Sequence, residues 1–547
     1  MTIKYTKEQL NKFDKDLLIE LFLGMQGQME ELSRQTQALN DRMQLMMEQM
    51  VLFQKNRFGR SSEKMADSEQ IRFMEVDGTI VFFNEAEAVC DLDAPEPEDL
   101  ELKAPKKKKQ PGKKAADIAG LTVKRIDHYL KEEELTAEFG ENGWKQLPDA
   151  ISRCYQFIPA SVVIEEHHIG VYSSKLDEHM IKAPHPRNLL HGSLVSPSLA
   201  AAVINGKYVN AVPLYRLEKE FERYGLAITR QNMANWMIRL GEEYLGTMYD
   251  YLHKLLYDYH VIQADETPVL VNKDGRPAGS QSYMWVYRSG FMYRDRQIIL
   301  YEYQKTRNAS HPREFLRDYT GICVTDGYQV YHTLEKERED LKIAGCWVHC
   351  RRRFNDALEV IPKAHRKESI LHLIMKQIQA IYREEGKLSD FSTEDRLMQR
   401  QLVVKPLVDA FFAYLKQNEP KIPKNGKIRE AFTYALNQES YLKVFLEDGD
   451  VPIDNNASER AIRGFCIGKK NWEMIDTVNG ANSSAIIYSI AETVKANNLK
   501  PFDYFEYLLT EIPKHVDDKN TDFLAELLPW SDMLPENIRK PQKASGK

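Results

Sequence analysis

The sequence predicts a multidomain α+β protein, and three observations support this fold class. Apolar residues recur at heptad spacing near the N-terminus, which is typical of a coiled coil. A central region contains β-rich runs followed by alternating strands and helices, an order that predicts a mixed five-stranded α/β sheet. A long stretch of helical sequence then separates this region from its final part, and it indicates a helical insertion in the core.

The composition of the 547-residue chain is that of a globular protein, with 43% hydrophobic and 29% charged residues. No apolar run is long enough to span a membrane, and the N-terminus lacks the apolar segment of a signal peptide, so we expect a cytoplasmic protein without a membrane partner. The six cysteines form no CxxC pair, which fits reduced thiols. The net charge of −6 argues weakly against nucleic-acid binding, but the charge is strongly segregated along the chain.

Residues 1–60 carry the heptad pattern. One set of positions, spaced by seven, holds Leu18, Met25, Leu32, Leu39, Met46 and Phe53. The alternate positions of the same heptads hold Phe22, Met29, Thr36, Met43 and Met50. The pattern favours a coiled coil through which the protein forms a homo-oligomer. The alternative is a single amphipathic helix packed on its own chain.

Residues 61–120 change abruptly from acidic, proline-containing sequence to lysine-rich sequence, and neither half can bury a core. We therefore expect a flexible linker. Four of its lysines are candidates for binding DNA phosphates without reading sequence: Lys106, Lys107, Lys108 and Lys109. A solvated linker whose acidic and basic halves attract each other is an equally good interpretation.

Residues 121–190 predict a small module with short strands, and residues 191–250 predict helices. Ser196 and Pro197 begin the first helix as N-cap and first residue. Another helix ends at Gly225 and Thr229 caps the next, which is the spacing of a helix-turn-helix. The second helix opens with polar side chains that suit contacts to DNA bases: Arg230, Gln231, Asn232 and Asn235. The same pattern is also common in ordinary helical domains.

Residues 251–360 predict the first part of the core. Its elements are three antiparallel strands over 260–271, 282–289 and 297–303, a helix over 308–319 with an Asn or Ser cap, and strands over 321–325 and 342–350. Three antiparallel strands, a helix and then parallel strands alternating with helices is the order of a ribonuclease-H-like fold.

Two aspartates fall in this sheet. Asp265 interrupts the apolar first strand, which is central, and Asp326 directly follows the fourth strand, its predicted neighbour. An unpaired carboxylate inside a strand is costly, and a bound divalent cation removes this cost. Because an Asp-Gly pair after a strand is usually a turn, Asp326 alone indicates little.

The stretch "DNNASERAIRGFCIGKKNW", residues 454–472, supplies a third carboxylate. Asp454 to Asn456 predict helix caps, which place Glu459 in the first turns, on one face with Arg463. Three carboxylates suit Mg²⁺ or Mn²⁺, and two such ions about 4 Å apart promote phosphodiester transfer. The alternative is a helix with a surface Glu–Arg pair. Candidate DNA contacts in this stretch are Arg463, Lys469 and Lys470.

Residues 361–450 predict the helical insertion, residues 451–500 the second part of the core, and residues 501–547 a C-terminal tail. Just before the insertion lie four basic side chains: His349, Arg351, Arg352 and Arg353. They follow the last predicted strand closely enough to reach DNA phosphates. They would equally well pair with the acids of the insertion.

Several segments of the chain, taken in order, resemble one known family. They are "KNRFGRSSEK", "DETPV", "TDGYQVY", "GCWVHCRRRF", "IDNNASERAIR" with "IGKKNW", and "LLPW". They resemble the IS66 family of bacterial DDE transposases over nearly the whole chain. The resemblance implies a ribonuclease-H-like catalytic core that uses a divalent metal to cut and join DNA at the ends of an insertion sequence. It places Asp265, Asp326 and Glu459 on the family's catalytic, metal-binding acids, and it implies small accessory proteins of the same element as partners.

One departure from the family concerns zinc. Members usually carry paired CxxC motifs between the lysine-rich arm and the helix-turn-helix region, whereas the corresponding stretches here, "TAEFGENGW" and "YSSKLDEH", contain no cysteine. The remaining candidate ligands lack the spacing of a zinc site: His128, Cys154, His167, His168 and His179. We expect a degenerate zinc-finger-like module over 121–190 that has lost its zinc.

Together these features predict a DNA transposase. Its partner is double-stranded DNA, at the element ends and at the target, so we expect it on the nucleoid when DNA-bound. The nearest alternative is a nuclease of the same fold that cuts without joining, because it needs the same ions. The other alternative is a DNA-binding derivative without activity.

The heptad pattern leads to a test of assembly. Charges placed at Leu32 and Leu39 together would be buried unpaired in the seam, which is costly, so we expect the variant to dissociate. Sedimentation velocity at micromolar concentration measures this directly. A variant that sediments like the parent would show that the coiled coil is not the main assembly contact.

Overall fold

The computed structural model describes most of the C-terminal two thirds of the chain. The described residues are 160–173, 180–184, 187–277, 279–518 and 520–540, with a few single positions between 131 and 140. The backbone of two short antiparallel strands, β1 (Met74–Val76) and β2 (Thr79–Val81), is also described, within the segment predicted to be a linker. The predicted coiled coil and Lys106 to Lys109 lie outside the described residues. None of the described helices is long and apolar enough to cross a membrane.

A hairpin and four helices precede the central sheet. The elements are β3 (Val171–Ser173), β4 (Met180–Lys182), α1 (Pro197–Ile204), α2 (Leu214–Arg223), α3 (Arg230–Leu240) and α4 (Gly246–Leu256). Ser196 caps α1 and Thr229 caps α3, each by accepting a hydrogen bond from a backbone amide three residues later. Gly225, at φ +82°, follows α2 in the left-handed conformation that favours glycine. The predicted caps and the turn between α2 and α3 are therefore confirmed.

The central sheet is mixed. Its first elements are β5 (Val261–Lys273), β6 (Gln281–Ser289), β7 (Ile299–Gln304), α5 (Ser310–Phe315), β8 (Gly321–Thr325), α6 (Gln329–Glu337) and β9 (Leu341–Gly345). The strand order is β7-β6-β5-β8-β9. Strands β5, β6 and β7 are antiparallel, whereas β8 runs parallel to both β5 and β9. The order and the directions of these five strands are those predicted.

Three details of this region were predicted wrongly. The sheet has a sixth strand, β10 (Ile475–Thr477), which pairs parallel with the end of β5 and is too short to leave a hydrophobic period in the sequence. The strand predicted over 342–350 ends at Gly345, and α7 (Trp347–Val360) begins two residues later because its buried residues recur at helical spacing. Helix α5 spans only Ser310–Phe315 instead of 308–319, although Oδ1 of Asn308 accepts from its first backbone amide, that of Ser310, at 2.9 Å, as an Asn cap would.

The sheet separates two apolar cores. Neighbouring residues of β5 illustrate this, since Val261 packs in one core and Ile262 in the other, as strand alternation requires. The core that contains Ile262 lies against the N-terminal helices α1 to α4. The core that contains Val261 lies against α7 and the helical insertion. Both faces of the sheet are thus covered, so polar side chains on its strands need a specific reason to be there.

The segment between α7 and β10 is helical, as predicted. It contains α8 (Ile370–Gly386), α9 (Thr393–Gln399), α10 (Lys405–Asn418), α11 (Lys427–Asn437), α12 (Glu439–Lys443) and, after the insertion, α13 (Asn456–Trp472). Arg400, only 1% exposed, holds the insertion together. Its guanidinium pairs with Glu385 and donates to the carbonyl oxygens of Phe445 and Asp448 at 2.8 and 2.6 Å.

The last helices cover the edge strand β7. They are α14 (Val478–Ala496), α15 (Pro501–Glu511) and α16 (Leu524–Leu527). The backbone amides of Ile299 and Tyr301 in β7 donate to the hydroxyls of Thr493 and Ser489 in α14, at 2.9 and 2.7 Å. Two side-chain hydroxyls therefore replace the missing neighbour strand, which closes an edge that would otherwise recruit another chain.

Replacing Thr493 by valine tests this closure. The shape is kept, but the buried Ile299 amide loses its acceptor, which costs about 1–3 kcal/mol. We expect a thermal melt to show a melting temperature several degrees below that of the parent. The matched control is Thr510→Val, since the exposed Thr510 hydroxyl only donates to the Glu506 carbonyl of its own helix. Equal melting temperatures for the two variants would contradict this account of the edge.

Candidate active site

The register of the sheet places Asp265 beside Asp326. Strands β5 and β8 run parallel, and their ladder pairs Gln263 with Val324. Asp265 and Asp326 each lie two residues further along, where the β8 ladder ends. Charge on Asp326 contributes to raising the pKa of Asp265, which agrees with this proximity. The observed register therefore agrees with the prediction that the two aspartates meet at one edge of the sheet.

Glu459 approaches the same edge from helix α13. It lies in the first turn, as predicted, and its side chain is 16% exposed. Oε2 of Glu459 accepts a hydrogen bond from Arg352 at 3.4 Å, and Oε1 lies 3.9 Å from Nε2 of His349. Oε1 is buried and accepts no hydrogen bond from any described residue. Glu459 therefore keeps one carboxylate oxygen available.

The start of α13 is fastened to the sheet by Asn455. This side chain is fully buried; its amide donates to the Ala264 carbonyl at 2.8 Å and accepts from the Gln263 amide at 3.0 Å. The backbone amide of Asn455 also donates to Sγ of Cys346 at 3.2 Å. Since Ala264 directly precedes Asp265, one asparagine fixes the distance between Asp265 and the helix that carries Glu459.

The predicted capping of α13 needs a correction. Asn455 occupies the N-cap position, but its side chain makes no capping hydrogen bond because it is used by the sheet. Asp454 takes over this role, since its Oδ1 accepts from the backbone amide of Asn456 at 3.1 Å. Further along the helix, Lys469 donates to the Pro268 carbonyl of β5 at 2.7 Å. Lys469, predicted to contact DNA, thus binds the sheet.

The charges at this edge repel one another. Burial, reinforced by the charges of Glu266, Asp326 and Glu459, raises the pKa of Asp265 well above its usual value. Burial also raises the pKa of Glu266 to about 7, although Arg307 pairs with it and opposes the rise. Arg307 therefore offsets the charge of Glu266 and leaves the three candidate acids in need of a cation.

The donor chemistry of these acids fits a divalent metal. Carboxylate oxygens are the ligands that Mg²⁺ and Mn²⁺ prefer, and Glu459 has a buried oxygen without a partner. No three His, Cys, Asp or Glu side chains in the described part of the chain already converge closely enough to hold an ion. The acids thus share one edge in an open arrangement that a bound ion would draw together.

The candidate DNA contacts within the described residues lie on three helices, α3, α7 and α13. Four polar side chains lie exposed on the first turns of α3, as predicted for a recognition helix: Arg230, Gln231, Asn232 and Asn235. On α7, His349 and Arg352 face Glu459, whereas Arg351 is half-buried nearby. On α13, Arg463 and Lys470 are exposed.

Two polar residues that organise the site, Gln263 and Arg307, were not singled out from the sequence, and Asn455 was predicted only as part of a helix cap. Gln263 and Asn455 join β5 to α13, and Arg307 pairs with Glu266 while its guanidinium lies 3.7 Å from the centre of the Tyr328 ring. The signal for Gln263 was present, because a glutamine inside an apolar strand is as exceptional as the aspartate two residues later. Arg307 lies in a loop and carries no such signal.

One family model matches the region that contains this site, a second matches the C-terminal part, and a third matches the N-terminal part. Residues 192–483 match the model described as "Transposase IS66 family", residues 489–530 match "IS66 C-terminal element", and residues 45–126 match "Transposase C of IS166 homeodomain". The first match spans more than half of the chain and includes all three candidate acids. The third overlaps the end of the predicted coiled coil and the predicted linker.

Similar proteins occur in Sinorhizobium fredii (strain NBRC 101917 / NGR234). The chain is 28% identical to the uncharacterized protein y4qI, over 66% of this chain and 67% of that one. It is 24% identical to the uncharacterized protein y4jD, over 76% and 82% of the two chains. A third uncharacterized protein, y4hP, is 22% identical over 72% of each chain.

The charge repulsion at Asp265 leads to a pH-dependent stability. The native carboxyl has a raised pKa, so its contribution to stability is full at low pH and is lost as pH rises through that pKa. Asp265→Asn removes the charge. In metal-free buffer containing EDTA, measured from about pH 5 to pH 9, we therefore expect the variant to melt several degrees higher than the parent, with a gain that grows as pH rises.

Asp340→Asn is the matched control. Arg338 lowers the pKa of Asp340 through a hydrogen-bonded ion pair, so losing this charge brings no gain as pH rises. Thermal melts of the two variants and the parent across this pH range measure the effect. A melting temperature of Asp265→Asn at or below that of the parent at every pH would contradict the inferred repulsion.

Proposed function

The chain belongs to the IS66 transposase family, and from this premise we propose that it cuts the ends of an insertion sequence and joins them to target DNA at Asp265, Asp326 and Glu459. The observation that carries the proposal is the β5–β8 register, which sets the two aspartates side by side where the ladder ends. Asn455 brings the helix of Glu459 to the same edge. The strand order supports a ribonuclease-H-like core for this chemistry.

The proposed reaction is a metal-dependent phosphodiester transfer. Mg²⁺ or Mn²⁺ held by the three acids supplies activation of the attacking oxygen and stabilisation of the leaving oxygen. The residues of the chain position these acids: the Glu266 amide donates to Oδ1 of Asp265 at 2.9 Å, and Arg352 donates to Glu459. The Tyr328 amide donates to Oδ1 of Asp326 at 2.9 Å. No side chain of the chain forms a covalent intermediate in this scheme.

DNA binding is proposed for two parts of the chain. The exposed polar turns of α3 suit base contacts, and the homeodomain-like match over 45–126 supports a second DNA-binding segment that includes the lysines. Cutting both ends of an element requires at least two active sites, which gives the proposed coiled-coil oligomer a purpose. Small accessory proteins of the element remain proposed partners.

A nuclease that cuts without joining is the second candidate. It would use the same acids and ions, so the site itself favours neither activity. The match of the whole region 192–483 to a transposase family favours an enzyme that also joins the cut ends to target DNA. A DNA-binding derivative without activity is less favoured because all three acids are retained and lie at one edge.

Alanine at Asp265, Asp326 or Glu459 tests the proposal. Each change removes a proposed metal ligand, so we expect nicking of a labelled element end in Mg²⁺ to fall by several orders of magnitude. The terminal sequence of this DNA is to be identified by searching the genomic DNA on both sides of the coding region for inverted repeats. A strand-transfer assay with the same DNA and a plasmid target then separates joining from simple cutting.

Asp318→Ala is the control, because Asp318 is an exposed acid on the loop after α5. It should nick and join like the parent. Substantial nicking by all three active-site variants would refute the assignment of these acids. Nicking by the parent without any strand transfer would instead favour the nuclease.

A further inference from the structure

The helical insertion contributes a recess beside the candidate active site. Its volume is about 510 Å³, within the range of small-ligand pockets. It is lined by the middle of α7, the loop before α11, α11 itself and the residue after it: Arg353, Lys424, Asn425, Gly426, Arg429, Glu430, Thr433, Tyr434, Asn437 and Gln438. We call it the α11 recess. Nothing in the reaction proposed above uses these side chains.

The α11 recess directly adjoins Asp326. The Tyr434 hydroxyl donates to the backbone carbonyl of Asp326 at 2.9 Å. The next residue, Gly327, has φ +90°, and a Cβ there would lie 2.9 Å from the Tyr434 hydroxyl and 3.2 Å from Oε1 of Gln438. Only glycine permits this approach, so α11 is held against the strand end that carries Asp326.

Two cations in the α11 recess are available to a ligand. Lys424 and Arg353 are exposed and form no ion pair with any described residue; the Arg353 guanidinium lies 4.3 Å from the centre of the Tyr434 ring. Arg429 is instead paired with Glu419, and Glu430 is paired with Lys427. The free charge of the recess is therefore positive, which suits a phosphate.

The remaining lining offers hydrogen bonds without charge. Asn425, Thr433 and Asn437 are exposed, and Gln438 is 8% exposed. Oε1 of Gln438 is buried and accepts no hydrogen bond within the described part of the chain. Amide side chains of this kind pair with the edges of nucleobases, since they both donate and accept. One recess thus combines groups for a phosphate with groups for a base.

We propose that the α11 recess receives one unstacked nucleotide of the DNA strand that is cut at the candidate active site, next to Asp326. Lys424 and Arg353 bind its phosphate. The side chains of Thr433, Asn437 and Gln438 bind its base. Unstacking costs a few kcal/mol, which the new contacts offset. This inference rests on the proposed function, because it names the part of the substrate that the insertion holds.

The experiment places 2-aminopurine, one position at a time, across the scissile bond of an element-end duplex. Its fluorescence is quenched by stacking, so we expect a severalfold rise at one position when the full-length protein binds in EDTA. Thr433→Ala combined with Asn437→Ala should abolish most of this rise, because both side chains lie on the exposed side of α11. Lys424→Gln should lower the slope of log K against log salt by about 0.9.

Lys416→Gln is the matched control. Lys416 is an exposed lysine of the same insertion that pairs with Glu439 at 2.7 Å, outside the α11 recess, so its loss should change neither signal. The inference is overturned if the protein nicks the duplex but no position brightens, a result that leaves the transposase standing. It is also overturned if the rise survives the double variant. Failure of the parent both to bind and to nick would overturn the two proposals together.

Discussion

The structure depends on a single buried amide at the junction of sheet and helix. Asn455 joins the Ala264 carbonyl and the Gln263 side chain of β5 to the start of α13, and its backbone amide reaches Cys346 after β9. Any other side chain would leave several buried polar groups without partners, at about 1–3 kcal/mol each. These contacts fix the position of α13 on the sheet. They therefore also fix the distance between Glu459 on α13 and Asp265 on β5.

This junction concentrates negative charge, and the positive groups beside it are already paired, as Arg352 is with Glu459. Arg307 is committed to Glu266 and to the face of Tyr328. Burial lowers the pKa of His349, which therefore tends to stay neutral beside Glu459. Ionisation of Asp265 is therefore unfavourable in this fold as long as no cation is bound beside it. Such local instability is typical of functional sites, where binding of a ligand recovers the stability that the empty site lacks.

The order and directions of the five main strands follow from the succession of elements along the chain, and they were predicted correctly. Most other features that the sequence predicted are governed by local chemistry. Strand alternation, the caps Ser196 and Thr229 and the glycine turn after α2 all depend on a few neighbouring residues, and they were correct. The misplaced features depend on distant partners. Strand β10 exists because β5 extends far enough to pair with it, and Lys469 binds a strand two hundred residues earlier in the chain. Asn455 has good capping chemistry, but the sheet competes for its amide.

The long insertion does not loosen the site, because its two ends meet. The amide of Trp347, the first residue of α7, donates to the carbonyl of Ile453, just before α13, at 3.1 Å. The segment between them therefore forms a closed loop whose apolar residues pack together in one core. The entropy cost of closing such a loop grows only slowly with its length. The Tyr434 hydroxyl donates to the Asp326 carbonyl, and Gly327 leaves room for this contact, so the insertion is held against the strand end at Asp326. A surface carried by the insertion consequently keeps a fixed position relative to the acids, although most of its sequence contributes nothing to holding them.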